Sequence, residues 1–369
     1  MINARSLSAR CSMTMLSEKT IVEQHSGVLD VQLSQEIALL QPDNLFTSLD
    51  WLHVLTNCYG FNMEWYVVRN EQAHIAAAMP VCRIVDEVFS ERLVALPFSD
   101  YCDPWLASES WWSEIADCLC GQGIPLQLRL RHNNSLQLDS RFVVQKTARW
   151  HGIRVADLTE DELWRGLHET HRWGINKAKR SGVTIRKSTD LEDLRAWYAL
   201  HCKVRKYKYQ LLPQPFAFFE EIWKHYMVPE QGFLLLAERD SALLAGAVFL
   251  VSGTTLNYKF SASDRSALHY QPNNLLLWEA IRLAHASKMR RLDLGVSDDD
   301  QPGLISFKRR FGAVESEVAF VRYLPAGFEV QRERRVRQLL GSVTTLLTRP
   351  TVPDEVTAAA GETLYRYFV

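Results

Sequence analysis

The chain is short of several features that would otherwise decide its class. It lacks a net field: 42 Lys and Arg stand against 43 Asp and Glu, a formal charge of -1 over 369 residues. Nothing therefore draws the whole molecule to nucleic acid or anionic lipid, and any anion binding has to be local. It lacks a long apolar run. The longest, "LLAGAVFLV" from Leu243 to Val251, is about half of the ~20 residues a membrane-spanning helix needs and reads as a buried strand. The opening "MINARSLSARCSMTMLSEKT" has no continuous apolar segment of the secretory kind, and residues 1–14 are expected to be disordered. Paired cysteines are missing too: seven are present without a C-x-x-C, and Cys118 and Cys120 sit in an apolar segment. That pattern fits buried thiols in a reducing cytoplasm. His53, His132, His201 and His269 are scattered without metal-ligand spacing, so no metal is expected. G-x-S-x-G and G-x-x-x-x-G-K-[ST] do not occur, which argues against serine-hydrolase and P-loop chemistry.

What is present is an alternation of strand-like and helix-like segments, with 47% apolar residues to bury. Phe46, Leu49, Leu52 and Leu55 fall at helical spacing. "EWYVVRN" and "HIAAAMPVCRIV" read as two strands joined by a polar turn, and "RLVALPFSDYCDPW" as a third strand running into a loop. "SWWSEIADCLCGQG" is an amphipathic helix ending at glycine, and "PLQLRLR" a strand. The order then recurs. "LLLAERDSALLAGAVFLV" answers "WYVVRNEQAHIAAAMPVC", pairing Val68 with Ala237, Ile75 with Leu244 and Ala77 with Gly246. "TLNYKFSASD" answers "RLVALPFSD", "LLLWEAIRLAHASK" answers the first helix, and "RRLDLG" answers "PLQLRL". Five elements in one order imply a duplicated α/β domain: residues 15–157, then residues 158–328 carrying the active-site cleft, then a basic helical tail, 329–369. Two helices open the second domain, the first with "TEDE" as a capping box.

The series "RLVALPFSDY", "HRWGINKAKRSGVTIR", "LLLAERDSALLAGAVFL", "PNNLLLWEAIRLA" with "LDLG", and "GLISFKRRFGA" resembles FemAB-type transferases and the related CelD-like acetyltransferases, both of the GNAT superfamily, over roughly residues 35–325. The resemblance implies two tandem GNAT-like domains, mixed sheets flanked by helices. It also implies transfer of an acyl or aminoacyl group to an amine or hydroxyl, often on cell-wall precursors or surface polysaccharides. Acyl-coenzyme A is one donor it allows. Aminoacyl-tRNA is disfavoured because long coiled-coil arms are absent.

The residues supply their own candidates. "GLISFKRRFGA" spaces Phe307 and Phe311 to bury one face of a short helix, which either directs Lys308 and Arg309 to a phosphate in the cleft or leaves a solvated basic turn answering Asp298, Asp299 and Asp300. "YQPNNLLLWEAI" reads as a helix N-terminus at a strand end, with Asn273 and Asn274 as caps either of an anion site or of an ordinary core helix. The family's Q/R-x-x-G-x-G/A loop belongs there, and this chain has no glycine in it. Acyl transfer needs a base and a polarised carbonyl. Asp264 in "KFSASD" and Asp100 in "PFSDY" are candidate bases or acceptor-orienting groups, and both equally suit loop caps. Tyr258 alternates with Lys259, so one of the two faces the cleft. Arg172, Lys177 and Arg180, with Lys203, Arg205, Lys206 and Tyr207, could track a nucleic-acid backbone or simply coat amphipathic helices. The Arg-rich tail with Leu339, Leu340, Leu346 and Leu347 could lie on an anionic membrane or pack across the second domain. Together with the resemblance, these features predict a cytoplasmic acyltransferase, its tail either at the membrane's inner face or packed on the second domain, and the resemblance implies a small-molecule or lipid-linked saccharide of envelope or exopolysaccharide synthesis as acceptor. The alternative is a non-catalytic binding or scaffold protein that kept the fold.

Overall fold

The computed structural model describes residues 11–17, 20–27, 29–132, 136 and 139–369. Disorder expected for residues 1–10 falls outside them. Residues 11–14 correct the rest of that expectation, because they open a strand, β1 (Cys11–Ser17), paired antiparallel with β2 (Thr20–Ser26). Helix α1 (Val31–Leu40) starts where the Asp30 carboxylate accepts the Leu33 N–H at 2.9 Å. Helix α2 (Leu49–Tyr59) is capped by Ser48 and stopped by Gly60 in the left-handed region. Its apolar face buries Trp51, Leu52, Val54 and Leu55. The first half continues through β3 (Asn62–Arg69), β4 (Ile75–Asp86), β5 (Ser90–Val94), the short β6 (Trp105–Leu106), α3 (Trp112–Gly121), β7 (Leu126–Leu130) and β8 (Val143–Arg154).

The expected capping box is formed by Thr159 and Glu162 at the head of α4 (Glu160–Gly166). Then come α5 (Glu169–Arg180), β9 (Thr184–Ser188), and α6 (Leu191–Val204), which widens into a π turn, Arg205–Tyr209. Helix α7 (Phe216–Ile222) widens likewise at Trp223–Met227. The second half closes with β10 (Gly232–Arg239), β11 (Ala242–Ser252), β12 (Thr255–Ser263), α8 (Pro272–Ala286), β13 (Arg291–Asp298), α9 (Pro302–Arg310) and β14 (Val314–Tyr323). The tail is α10 (Val330–Leu347) and α11 (Asp354–Leu364).

The strands form one sheet in the order β1-β2-β3-β4-β5-β7-β14-β8-β13-β12-β11-β10-β9, with β6 on β4. Its two halves repeat each other. β5–β7 and β12–β13 are the parallel pairs, and the remaining ladders are antiparallel. The repeat is off by one residue from the alignment read in sequence. Val68 pairs with Ala77 but Ala237 pairs with Ala245, so Ala77 corresponds to Ala245 rather than Gly246. The reason is the second hairpin's tighter turn, Asp240 and Ser241, both at positive φ. The seam is an exchange: β14 reaches back to pair with β7, and β8 reaches forward to pair with β13. One apolar core fills the first half and continues beneath α6 and α7; the other lies beneath α4, α5 and α8.

The tail packs on this body. Tyr365 is buried with its ring 5.0 Å from Phe98, and Lys206, 2% exposed, donates to Asp354 at 2.7 Å. Leu339 and Leu346 on α10 stay 63% and 51% exposed. Among the described residues no helix is long and apolar enough to cross a membrane. The six described cysteines are free, and Cys82 and Cys102 are buried.

Candidate active site

The strands β12 and β13 run together for three residue pairs, Thr255–Asn257 against Arg291–Asp293, and then part. Their facing edges beyond that point open a slot, and the ionisable side chains gather there. Alternation along β12 sends Tyr258 and Lys259 to opposite faces. Tyr258 packs in the second core, its ring 5.5 Å from Phe249. Lys259 turns the other way, above Phe46 at 4.4 Å, and its ammonium donates to Asp100 Oδ1 at 2.7 Å. Asp100 comes from the loop after β5, held by Trp51 Nε1 donating to Ser99 Oγ at 2.8 Å and by Arg129 donating to the Ser99 carbonyl.

Across the slot, β13 carries a bulge at Gly295. Its φ is +69°, and a Cβ there would stand 2.7 Å from Asp100 Oδ2, so only glycine fits both demands. Helix α9 then delivers Lys308, 4% exposed, whose Nζ donates to the Gly295 and Val296 carbonyls at 3.1 Å each. Asp293 completes the cluster. Its Oδ2 accepts from Trp150 Nε1 at 2.7 Å and Tyr101 OH at 3.4 Å, and its Oδ1 from the Gly295 N–H at 2.7 Å.

These environments push the groups apart. Burial alone would raise the Asp100 carboxyl, but Lys259, then Lys308, hold it below the usual carboxylate range. Burial dominates at Asp293 and raises it. Burial lowers Lys308 to about 8, against the pull of Asp100 and Asp293. His151, fully buried, is lowered to about 4 by burial and by the Lys308 charge, and its ring nitrogens have no hydrogen-bond partner among the described residues. A carboxylate held charged beside an amine near neutrality is the arrangement expected of an acid–base pair. None of the six described cysteines is prepared for attack: burial raises each of them, Cys58 up to about 12 and Cys202 up to about 11.

Two clefts are lined in part by residues of β12 and β13. One, of about 540 Å³, lies between Lys203, Tyr207 and Lys208 on α6 with its π turn and Ser263, Asp264 and Arg265 at the end of β12. The other, of about 350 Å³, is lined by Asn44, Tyr101, Trp105, Arg131, His132 and Arg291. The Arg131 guanidinium is stacked 3.2 Å from the centroid of the Trp150 ring and 4.9 Å from that of Tyr101.

Residues 165–309 match the family model described as an acetyltransferase (GNAT) domain. No curated protein matches. Among solved structures, FemX superposes over 85% of this chain and 99% of its own with TM-score 0.61 and 13% identity. L-PGS from Bacillus licheniformis covers 87% and 98% with TM-score 0.53 and 12% identity. A tandem GNAT protein from the clavulanic acid biosynthesis pathway covers 84% and 99% with TM-score 0.53 and 11% identity. This is a FemAB/GNAT-type acyltransferase fold. At such identities the likeness is one of fold.

Within that fold the residues expected from sequence divide. Lys308 and Asp100 come together at the slot. Asp264 lies in the larger cleft, but its carboxylate accepts from Ser266 N at 2.8 Å and Ser266 Oγ at 2.7 Å, capping a short turn. Tyr258 faces the core. Arg309 does not join Lys308: successive helical residues point about 100° apart, and Arg309 lies on the surface paired with Glu315 at 3.0 Å. Phe307 and Phe311 do bracket the helix, their rings 5.2 Å apart and both against His171. Asn273 and Asn274 are not caps. Proline takes the first helical position, leaving Gln271 as the cap. Asn273 then donates to Ser263 Oγ at 3.2 Å, and buried Asn274 donates to Gln271 Oε1 at 2.9 Å. Arg172, Arg205 and Lys206 each bond backbone carbonyls, so they are spent on the fold. Sequence reasoning weighed Lys259 only as the alternate of Tyr258, and it passed over Asp293, Arg131 and Arg291. The available signal was Asp293 itself, a carboxylate inside the apolar strand "RLDLG".

Proposed function

We propose that the protein transfers an acyl or aminoacyl group from an activated ester or thioester to an amine or hydroxyl of an anionic acceptor, of the envelope or exopolysaccharide precursor class. The observation carrying this reading is the parting of β12 and β13 with Asp100, Lys259 and Lys308 at its mouth. The freed strand edges suit an extended donor chain, which can add to them as a further strand. Lys308 would supply the N–H that stabilises the oxygen anion of the tetrahedral intermediate, and Asp100 would take the proton of the attacking group. As the new C–N or C–O bond forms and the donor's C–S or C–O bond breaks, the leaving group takes its proton from Lys308.

Arg131 and Arg291, in the smaller cleft, suit an acceptor phosphate or carboxylate. Lys203, Lys208 and Arg265 would meet the phosphates of an acyl-coenzyme A donor. The start of α8, with Pro272 lacking an N–H and no glycine nearby, does not fit a backbone cradle for them. Exposed Leu339 and Leu346 beside Arg334 and Arg335 on α10 favour a lipid-linked acceptor at an anionic membrane. One observation favours the non-catalytic reading instead: the Lys308 ammonium is already satisfied by two carbonyls.

The test is release of thiol from acyl-coenzyme A, or of tRNA from aminoacyl-tRNA, with nucleotide- and lipid-linked amino sugars as acceptors. Lys308→Ala and Asp100→Asn are each expected to lower kcat about 10²-fold or more, and Arg131→Ala to raise KM for the acceptor. Turnover indifferent to both Lys308 and Asp100 would refute this placement of the chemistry. Acceptor binding without turnover would leave the scaffold reading.

A further inference from the structure

We infer that Asp50, His53 and His225 form a divalent-metal site joining the two halves of the molecule outside both clefts. Helix α2 buries its apolar face and leaves Asp50 and His53, one turn apart, exposed on the same side. Opposite them the helix ending in Ile222 widens by one residue into its π turn. Tyr226 and Met227 are thereby buried while half-buried His225 is turned toward α2. The ligating atoms of the three residues lie within 4.8 Å of one another. Asp50 Oδ1 is 3.7 Å from His225 Nδ1, and the two imidazoles stand 5.4 Å apart, tilted by 36°. Ligand atoms around a tetrahedral zinc ion are roughly 3.4 Å apart, so small rotations of the two exposed side chains close the set.

A second tier of contacts fixes the geometry. Asn57 Nδ2 donates to Glu221 Oε2 at 2.8 Å and lies 3.3 Å from His225 Nε2, and Glu221 Oε2 is itself 3.6 Å from that nitrogen. The carboxylate thus addresses the far nitrogen of the ring and leaves Nδ1 for the ion, the usual carboxylate–histidine–metal order. Lys224 neutralises the other Glu221 oxygen at 2.8 Å. Ser48 Oγ and Tyr226 OH, 3.0 Å apart, tie the two elements together at the base. Two imidazoles and one carboxylate select Zn²⁺, Co²⁺ or Ni²⁺ over Mg²⁺ and Ca²⁺, with water in the remaining position. An ion here would clip α2 of the first half to the π turn of the second.

The experiment titrates chelator-stripped full-length protein with Co²⁺ and Zn²⁺, following heat, the visible Co²⁺ spectrum and thermal unfolding. One equivalent is expected to bind, with visible bands of a nitrogen–oxygen site and no thiolate charge-transfer band. Zn²⁺ should raise the unfolding midpoint. His53→Ala and His225→Ala should each weaken binding by at least ~10-fold and abolish the thermal shift. His53 is exposed, so its variant keeps the fold, as circular dichroism will verify. A thiolate band, or equal affinity in wild type and both variants, would overturn the assignment.

Discussion

Lys308 shows how one position changes meaning between the sequence and the structure. In sequence it is the first of three cations; in the structure it is the one the helix turns inward. Its proton is correspondingly loosened. The unfolded ammonium, with its ordinary pKa of ~10.4, keeps its proton through a range where the folded group, lowered to about 8 by burial, gives it up. The unfolded chain therefore binds more protons between about pH 8 and ~10.4, and the Lys308 contribution to stability becomes more favourable as pH rises across that window. Urea midpoints of wild type and Lys308→Met at pH 7.5, 9 and 10 should show wild type gaining on the variant by on the order of 2–3 kcal/mol. A constant difference would place the ammonium in water-like surroundings. Asp264 went the opposite way. Its side chain satisfies a local turn, the ordinary use of aspartate after a strand, and sequence could not separate that from a catalytic base.

At the scale of elements, the crossing of α5 and α8 tests how tightly the second core is closed. Gly174 has no side chain where a Cβ would overlap the Asn274 amide, and Asn274 is itself buried and bonded to Gln271. Gly174→Ala would gain up to ~1 kcal/mol in helix propensity, but displacing the packed amide should cost about 1–3 kcal/mol. Net destabilisation is expected. Adding Asn274→Ala should then cost less than it does alone, with a coupling of at least ~0.5 kcal/mol in a denaturant double-mutant cycle. The elements were largely legible: helical spacing, the Thr159–Glu162 capping box and the recurring strand pairs all survive. The cap of α8 was misread because two asparagines looked like caps, while proline's missing N–H and fixed φ set the actual start.

For the whole molecule the decisive feature is the exchange at the centre of the sheet. A fragment of residues 1–157 lacks β14, which sits between its β7 and β8, and a fragment of residues 158–369 lacks β8, which covers β13. Neither fragment is expected to give a cooperative unfolding transition by itself, and co-expression should restore one. A sharp transition in the isolated second fragment would show that the exchanged strands are dispensable.

The sequence by itself determined the period of each element, the duplication and the presence of ionisable residues after strand ends, because alternation and capping act over a few residues. It left open which of those residues meet. Asp100 and Lys259 are bonded at 2.7 Å, and Lys308 joins them through a bulge at Gly295, but their positions along the chain carry no sign of this. Only the tertiary structure decided it. Parting two parallel strands makes a slot, and burying three charges in it depends on the long-range pairings that bring both halves together.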